Sequence, residues 1–351
     1  MTFSKRLISK VEYPGPGSTV VYVPDMSKAW VDTGVTAPFC KNSVVRVGSN
    51  YYAVGYNGSI STGNIWSAPV NDCTNWSVAG TLPDSKVIGF SKLAVVNNNL
   101  YIFGGWSANN TDNRRIFTAP IATPTAFTDT GSTMNTRAYE ASIVITMGRI
   151  NLLPSYQAGS TWEWASTETP TVFNTHTASV SGWEHGGMST TCPPSIVKLT
   201  GYSSNQIIQI HGSVEACTSY TGVASPTTVE QYPIGYDAHD RLYFFCHNTN
   251  IVCSVYPDCS FINGNRTFLY STTGAALNYP FGAHWICNGY FYAIHGSTRN
   301  IWRSARKALT CAFVPPGFEP FEAYNEFGVK EWVSRHVRLG YAPWFTNRFD
   351  I

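Results

Sequence analysis

The sequence predicts an all-β chain folded as a β-propeller, with seven four-stranded blades as the first expectation and six as the alternative. Three observations carry this. Short apolar segments closed by Gly or a polar residue recur about every 50 residues. No helical period survives for more than a few residues, whereas chain breakers are frequent, with 29 Gly and 20 Pro. The composition is aromatic and poor in charge, with 14% Phe, Trp and Tyr against 13% Asp, Glu, Lys and Arg. That balance excludes a coiled coil and a charge-rich disordered chain.

The recurring segments are Tyr51–Tyr56, Leu100–Gly105, Ile150–Ser155, Ile207–Gly212, Leu242–His247 and Phe291–Gly296. They begin at 51, 100, 150, 207, 242 and 291, so the steps are 49, 50, 57, 35 and 49. Turn signals such as Asn97-Asn98-Asn99 and Cys287-Asn288-Gly289 precede several of them, as expected of a buried strand entered through a tight turn. An apolar run before several of them, for example Lys92–Val96, Ser142–Ile145 or Ser195–Leu199, supplies a first strand and makes an inner hairpin. Third strands follow at Asn64–Pro69, Arg115–Pro120 and Asn300–Ala305. About ten residues further on an aromatic marks a fourth strand: Trp76, Phe127 and Phe313, with Phe173 and Phe261 as counterparts. Such rings fill the layer between twisted sheets packed face to face.

The ends are expected to share a blade. Val20–Val23 and Trp30–Gly34 copy a third and a fourth strand, with Trp30–Gly34 matching Phe127–Gly131. Val329–Phe345, with Arg338–Ala342 as second strand, is the expected inner hairpin. This joint would close a seventh blade and remove the open sheet edges. The step of 35 is too short for a full outer pair, which keeps six blades as the alternative. The domain reading is an extended arm over residues 1–18 and one propeller over 19–351.

The unit Leu93–Gly131, with Leu100-Tyr101-Ile102-Phe103-Gly104-Gly105 and a later aromatic, resembles a kelch repeat, although one of the six segments keeps both glycines. The third and fourth strands also resemble sialidase blades. The Asp-box turn of those blades is absent, since Asp72 precedes Trp76 by only four residues. The resemblance implies a propeller over roughly residues 20–345. It also implies, as one alternative, a secreted sialidase-like glycoside hydrolase that clamps a carboxylate with arginines; Arg46, Arg114, Arg115, Arg137 and Arg241 are the cations considered. A second alternative is a kelch-type protein-interaction adaptor.

Binding is favoured over catalysis. A glycosidase needs two facing carboxylates, and the 21 acidic residues are scattered. Glu140, Glu163 and Glu184 read as single solvated loop positions. No catalytic residue, metal or cofactor is expected. His211, Cys246 and His295 occupy one repeat position, read as polar strand ends beside a wet channel rather than a metal ring. Neutral loops rich in Ser, Thr, Asn, Gly and aromatics suit recognition. The candidate binding residues are therefore Tyr56, Trp106, Trp183, His211 and His295.

The remaining features place the protein. A net charge of +2 argues against a nucleic-acid partner. No apolar run is long enough for a membrane helix. Met1–Ser18 carries Lys5, Arg6 and Lys10 with no apolar stretch after them, so no secretory signal is expected. Nine cysteines leave at least one unpaired within the chain. Cys253 and Cys259 could pair across a hairpin, but two small buried hydrophobes is the commoner reading. Charge-poor, Asn/Ser/Thr-rich all-β chains of this kind resemble bacteriophage virion proteins: tail fibres, spikes and receptor-binding proteins. That resemblance implies a location in the virion, with an extracellular protein as the alternative. It implies docking of the arm, with its Pro14-Gly15-Pro16-Gly17, onto other virion structural proteins. It also implies recognition of a host-surface glycan or protein by the propeller.

Overall fold

The computed structural model describes residues 19–25, 28–39, 43–56, 61–83, 91–105, 114–135, 142–146, 148–153 and 161–177, the strands between 189 and 271, and 284–295, 298–311, 318–324 and 330–336. Side chains are described within 28–175 and 285–306. The expected arm and the loop residues Trp106 and Trp183 lie outside the described residues.

The described residues form 28 strands and no α-helix. The first two are β1 (Thr19–Asp25) and β2 (Val31–Thr36). Then β3 (Val44–Val47), β4 (Asn50–Tyr56), β5 (Ser61–Pro69) and β6 (Ser77–Thr81) form an antiparallel sheet in chain order. The pattern repeats in β7 (Lys92–Val96), β8 (Asn99–Phe103), β9 (Arg115–Pro120) and β10 (Thr128–Thr133). It repeats again in β11 (Ser142–Thr146), β12 (Arg149–Leu153), β13 (Thr161–Ser166) and β14 (Asn174–Thr177). A further copy is β15 (Ser189–Cys192), β16 (Ser195–Leu199), β17 (Gln206–His211) and β18 (Thr218–Ala224). The next is β19 (Gln231–Tyr236), β20 (Leu242–Cys246), β21 (Ile251–Val255) and β22 (Thr267–Ser271). Last come β23 (His284–Cys287), β24 (Tyr290–Ile294), β25 (Asn300–Arg303), β26 (Ala305–Cys311), β27 (Phe318–Tyr324) and β28 (Lys330–His336).

The chain ends meet differently from expectation. β2 is the fourth strand of a sheet ordered β2-β25-β24-β23, here called the seam sheet. β1 pairs with β26, from Thr19 opposite Cys311 to Asp25 opposite Ala305. Residues 19–25 and 31–36 thus run antiparallel to residues 305–311 and 300–303. β27 and β28 pair only with each other, so they supply no inner hairpin to the N-terminal strands, and Arg338–Ala342 lies outside the described residues. The inner strands of the seam come from β23 and β24 instead. The result is six four-stranded sheets and two two-stranded ones among the described residues, with no seventh four-stranded sheet.

The same assignment explains the uneven spacing of the repeat. Ile207–Gly212 was read as a second strand, but β17 is the third strand of its sheet, because Ser189–Cys192 takes the first position. The second strands begin at 50, 99, 149, 195, 242 and 290, so the steps are 49, 50, 46, 47 and 48. First strands of neighbouring sheets touch: β23 with β3, β3 with β7, β7 with β11, β11 with β15, β15 with β19, and β19 with β23.

Wherever side chains are described, one apolar layer fills each gap between sheets. Phe39, Tyr51, Trp285 and Tyr292 lie between the seam and β3–β6, with Trp76 packed on them. Tyr52, Leu100, Phe117 and Phe127 fill the next gap. Phe103, Met134, Ile150 and Leu152 fill the third, with Phe173 packed on them. Trp76, Phe127 and Phe173 therefore plug the layers, as their spacing predicts; Phe261 and Phe313 lie outside the described residues, and the fourth strand beside Asn300–Arg303 is β2 rather than one marked by Phe313. One local device places them. In the three described turns between third and fourth strands two backbone bonds recur three residues apart: Asp72 N–H to Pro69 O and Asn75 N–H to Asp72 O, then Thr123 to Pro120 and Ala126 to Thr123, then Thr169 to Ser166 and Val172 to Thr169.

A second device is the Asp-Thr-Gly bulge. In β10, Gly131 N–H donates to Asp129 Oδ1 at 2.9 Å and Thr130 Oγ1 donates to Ile116 O at 2.8 Å. In β2, Gly34 N–H donates to Asp32 Oδ1 at 2.8 Å and Thr33 Oγ1 to Ile301 O at 2.7 Å. Both glycines have φ of 73°, a left-handed conformation that suits Gly because it lacks a Cβ. The repeated bulge explains why Val31–Thr36 docks on β25 as Thr128–Thr133 docks on β9.

Asparagine staples join neighbouring sheets. Asn97 and Asn288 sit in first hairpin turns at φ of 53° and 50°, a region Asn tolerates better than most residues. Asn97 Nδ2 donates to Thr167 O at 2.8 Å, and Asn288 Nδ2 donates to Val70 O at 3.0 Å. Thr167 and Val70 are equivalent, each opening the third turn of the next sheet. Gly48 holds this position in the β3–β6 sheet; there Gly80 lets the next sheet's Thr125 approach, at 3.1 Å from where a Cβ would stand. Asn97→Gly keeps the backbone conformation and removes the donor. It is expected to lower stability by about 0.5–1.5 kcal/mol, read as a shift in the urea midpoint at unchanged m-value.

Candidate functional site

The strand directions define two ends of the sheets. Turns after first and third strands lie at one end; connections after second and fourth strands lie at the other. Tyr56 closes β4 beside Ser61, and His295 follows β24, so both belong to the second end. His211 closes a third strand opposite Ser195 and Thr218, which puts it at the first end. The repeat equivalence of His211 with Cys246 and His295 therefore fails, because the chain runs the other way in β17. His295 Nδ1 accepts a hydrogen bond from Thr298 N–H at 3.3 Å inside a tight loop. Among the described residues no group of three or more His, Cys, Asp or Glu is placed to hold a metal ion.

Glu163 is not a solvated loop carboxylate. It lies in β13, is fully buried, and its Oε2 accepts a hydrogen bond from Asn135 N–H at 2.8 Å. Asn135 Nδ2 reaches Phe173 O and Thr175 Oγ1. Glu163 thus ties two sheets together.

The described cleft lies at the first end, between the seam sheet and the turn from β5 to β6. Its volume is about 450 Å³, within the roughly 300–1,000 Å³ of ordinary ligand sites. One wall carries Tyr290, Tyr292, Arg303 and Arg306, and Asp32 and Asp72 also line the cleft. The walls are fixed to one another. Cys73 and Cys287 form a disulfide across the two sheets, and the Asn288 staple spans the same gap.

Local structure positions each side chain. Tyr292 and Arg303 are register partners on β24 and β25. The ring of Tyr292 stacks on Trp285 at 5.4 Å with 6° between planes. The guanidinium carbons of Arg303 and Arg306 lie 4.7 and 4.6 Å from the centre of the Tyr290 ring. Arg306 also donates to Asn288 O at 2.9 Å. Asp32 Oδ1 holds the Gly34 bulge and Oδ2 accepts from Asn300 Nδ2 at 2.8 Å. Asp72 Oδ1 accepts from Thr74 Oγ1 at 3.1 Å. Asp129 makes the same bulge contact and pairs with Arg115, so the Asp32 bulge geometry recurs in another sheet.

Burial pushes the Tyr292 hydroxyl above the usual tyrosine range, and the Arg303 hydrogen bond partly offsets this. A raised value in the folded state means stability that is complete below about pH 10 and lost as pH rises through the folded value. The stability difference between the native protein and Tyr292→Phe is therefore expected to shift against the native protein between about pH 9 and pH 11. Urea midpoints at the two values check this.

None of the cleft residues was singled out from the sequence as a site. One signal was present. Asn300-Ile301-Trp302-Arg303 matches Asn64-Ile65-Trp66-Ser67 except in its last residue, and it shares the central Ile and an aromatic third residue with Arg115-Ile116-Phe117-Thr118. In the sister sheets Ser67 and Thr118 pair with Tyr52 and Tyr101, as Arg303 pairs with Tyr292. A departure from an otherwise kept repeat marks the site.

No protein-family model matches the chain. No curated protein matches it either. The solved structure of YjhT is similar over 82% of this chain and 98% of its own, with a TM-score of 0.54 and 9% identity. YjhT has a sialidase-like, kelch-type propeller fold. At that identity the likeness shows propeller architecture alone. It is one of 663 matching chains of known structure, and a fold so widely shared selects no function.

Proposed function

We propose that this chain is a six-bladed recognition propeller of the tail-fibre or spike kind carried by bacteriophage virions, binding a host-surface glycan without turning it over. The contacts among the six first strands and the sharing of one sheet by β2 and β23–β25 support six blades about one axis. The observation that carries the binding role is the lining of the 450 Å³ cleft: two tyrosines, two arginines, Asn71, Asn288, Thr33 and Thr74 beside two aspartates. Planar polar side chains and aromatic rings of this kind meet hydroxyl-rich sugar rings with both hydrogen bonds and apolar surface. Both aspartates hold local turns, which argues for binding over hydrolysis. The disulfide suits a protein displayed in oxidising surroundings.

The test is a glycan array on the purified chain, with product analysis of every glycan bound. Retention of defined glycans without turnover is the expected result. Released sugar favours the hydrolase reading, and no glycan retained rejects the site. The virion role is tested separately. Deleting residues 1–18 should leave a folded propeller that no longer enters particles; unchanged incorporation rejects the arm as the docking element.

A further inference from the structure

We infer that the edge of β25 and β26 is a strand-acceptor site for residues 19–36 of a second copy of this chain, and that the Cys73–Cys287 disulfide keeps the ring of sheets closed while that segment is exchanged.

The ring is closed twice. Without a covalent bond, β1 and β2 lie along β26 and β25. With one, the chain runs from Cys73 in the β3–β6 sheet through the four sheets between β7 and β22 to Cys287 in the seam, and the disulfide joins those two ends. Residues 19–36 lie outside this covalent circle. Their release bares the edge of β25 and leaves the ring joined. A bared edge is a template for another strand. The segment is also lightly held where it is described. In β2 every residue but Thr33 is exposed, whereas the sister strand β10 has three half-buried residues. Among the described side chains of the segment, Trp30 is the one large buried group.

Release has a defined stop. Ala37 N–H donates to Arg299 O at 2.8 Å, and both Ala37 and Phe39 are fully buried. The Phe39 ring meets Trp76 edge to face at 4.7 Å. The hinge is therefore the junction of Thr36 and Ala37. The vacated edge recognises the segment by its sequence. Asn300 Nδ2 donates to Asp32 Oδ2 at 2.8 Å, and Ile301 O accepts from Thr33 Oγ1 at 2.7 Å. The Asp-Thr-Gly bulge sets the register shift between β2 and β25. These contacts form whichever copy supplies the strand, so reciprocal exchange conserves them and yields a two-fold pair. The segment also brings Val31, Asp32, Thr33 and Val35 to the cleft. Each copy in such a pair therefore completes the cleft of the other.

The experiment is amide hydrogen exchange of the full oxidised chain in urea below its midpoint, with and without a labelled synthetic peptide of residues 19–36. Amides of β1 and β2 are expected to exchange about tenfold faster than those of β8, as a separate unit of low stability. The chain is expected to take up the peptide. Light scattering of the concentrated chain after the urea is removed should find a two-copy species. Gly34→Ala puts a Cβ on a backbone with φ of 73° in open space, so it strains the segment without a clash. It should speed exchange in β2, raise uptake of the native peptide and leave β8 unchanged. In Cys73→Ala with Cys287→Ala, release opens the ring, so β1, β2 and β8 should exchange in one common opening. Equal protection of β2 and β8 in the oxidised chain overturns the inference. Absence of peptide uptake by the Gly34→Ala chain, or a concentrated chain that stays monomeric, overturns the acceptor site. A β1–β2 unit that still opens apart from β8 without the disulfide overturns the role given to that bond.

Discussion

Phe103→Ala is expected to destabilise the protein by about 3–5 kcal/mol, the usual cost of emptying a buried aromatic position. Phe103 is fully buried in the layer between the β7–β10 and β11–β14 sheets. Its ring centre lies 5.7 Å from Tyr101, nearly parallel, and 5.7 Å from Phe173, edge to face. Truncation removes apolar area and leaves a void that two separate sheets would have to move together to fill. Sheets tied by the Asn97 staple and by Glu163 cannot close easily. Phe103→Leu keeps most of the volume and should cost clearly less. Urea unfolding of both variants checks the order. A loss below about 1 kcal/mol for the alanine variant would contradict the packing of this layer.

Removing the Cys73–Cys287 disulfide is the second large effect. The two residues are separated by 214 positions, so the bond constrains most of the unfolded chain. The chain-entropy relation puts the stabilisation at up to about 5 kcal/mol, with roughly 2–4 kcal/mol typical of measured bonds. Cys73→Ala with Cys287→Ala is expected to lose that amount, and alanine avoids burying a new hydroxyl. Both positions are buried, at 2% and 0% exposure, so the bond should resist mild reductant in the folded protein and yield once unfolded. Unfolding in the presence of reductant should match the double variant. A native protein whose urea midpoint ignores reductant would show that the bond contributes nothing. The bond also crosses the gap beside the cleft, so the variant is expected to bind its ligand more weakly even where it remains folded.

How far the sequence reached can be seen at particular residues. The hairpin turns at Asn97 and Asn288-Gly289 were legible, because positive φ demands those residue types. Trp76, Phe127 and Phe173 were legible as layer-filling rings from spacing alone. The match of Trp30–Gly34 with Phe127–Gly131 correctly marked a fourth strand, since Asp-Thr-Gly encodes its own bulge through contacts within three residues. The third-strand reading of Val20–Val23 failed. Strand character is local, but the choice of partner between β25 and β26 is made across the whole chain. Ile207–Gly212 misled for a related reason. Second and third strands have the same apolar composition, and only the pairing of Ser189–Cys192 with Ser195–Leu199 shows which is which. Glu163 looked like a loop carboxylate because its partner, Asn135, lies 28 residues away.

The sequence by itself determined the class of fold, the length of the repeat and the local turns, because these depend on residues a few positions apart. Only the tertiary structure decided how many four-stranded sheets the strands make, which terminal strand enters the seam, which cysteines meet, and where a cleft opens. Those outcomes depend on contacts such as Cys73 with Cys287 and Asp32 with Asn300, separated by 214 and 268 residues. Residue types and spacing constrain the near neighbours of each position; only packing the sheets side by side brings such distant residues together.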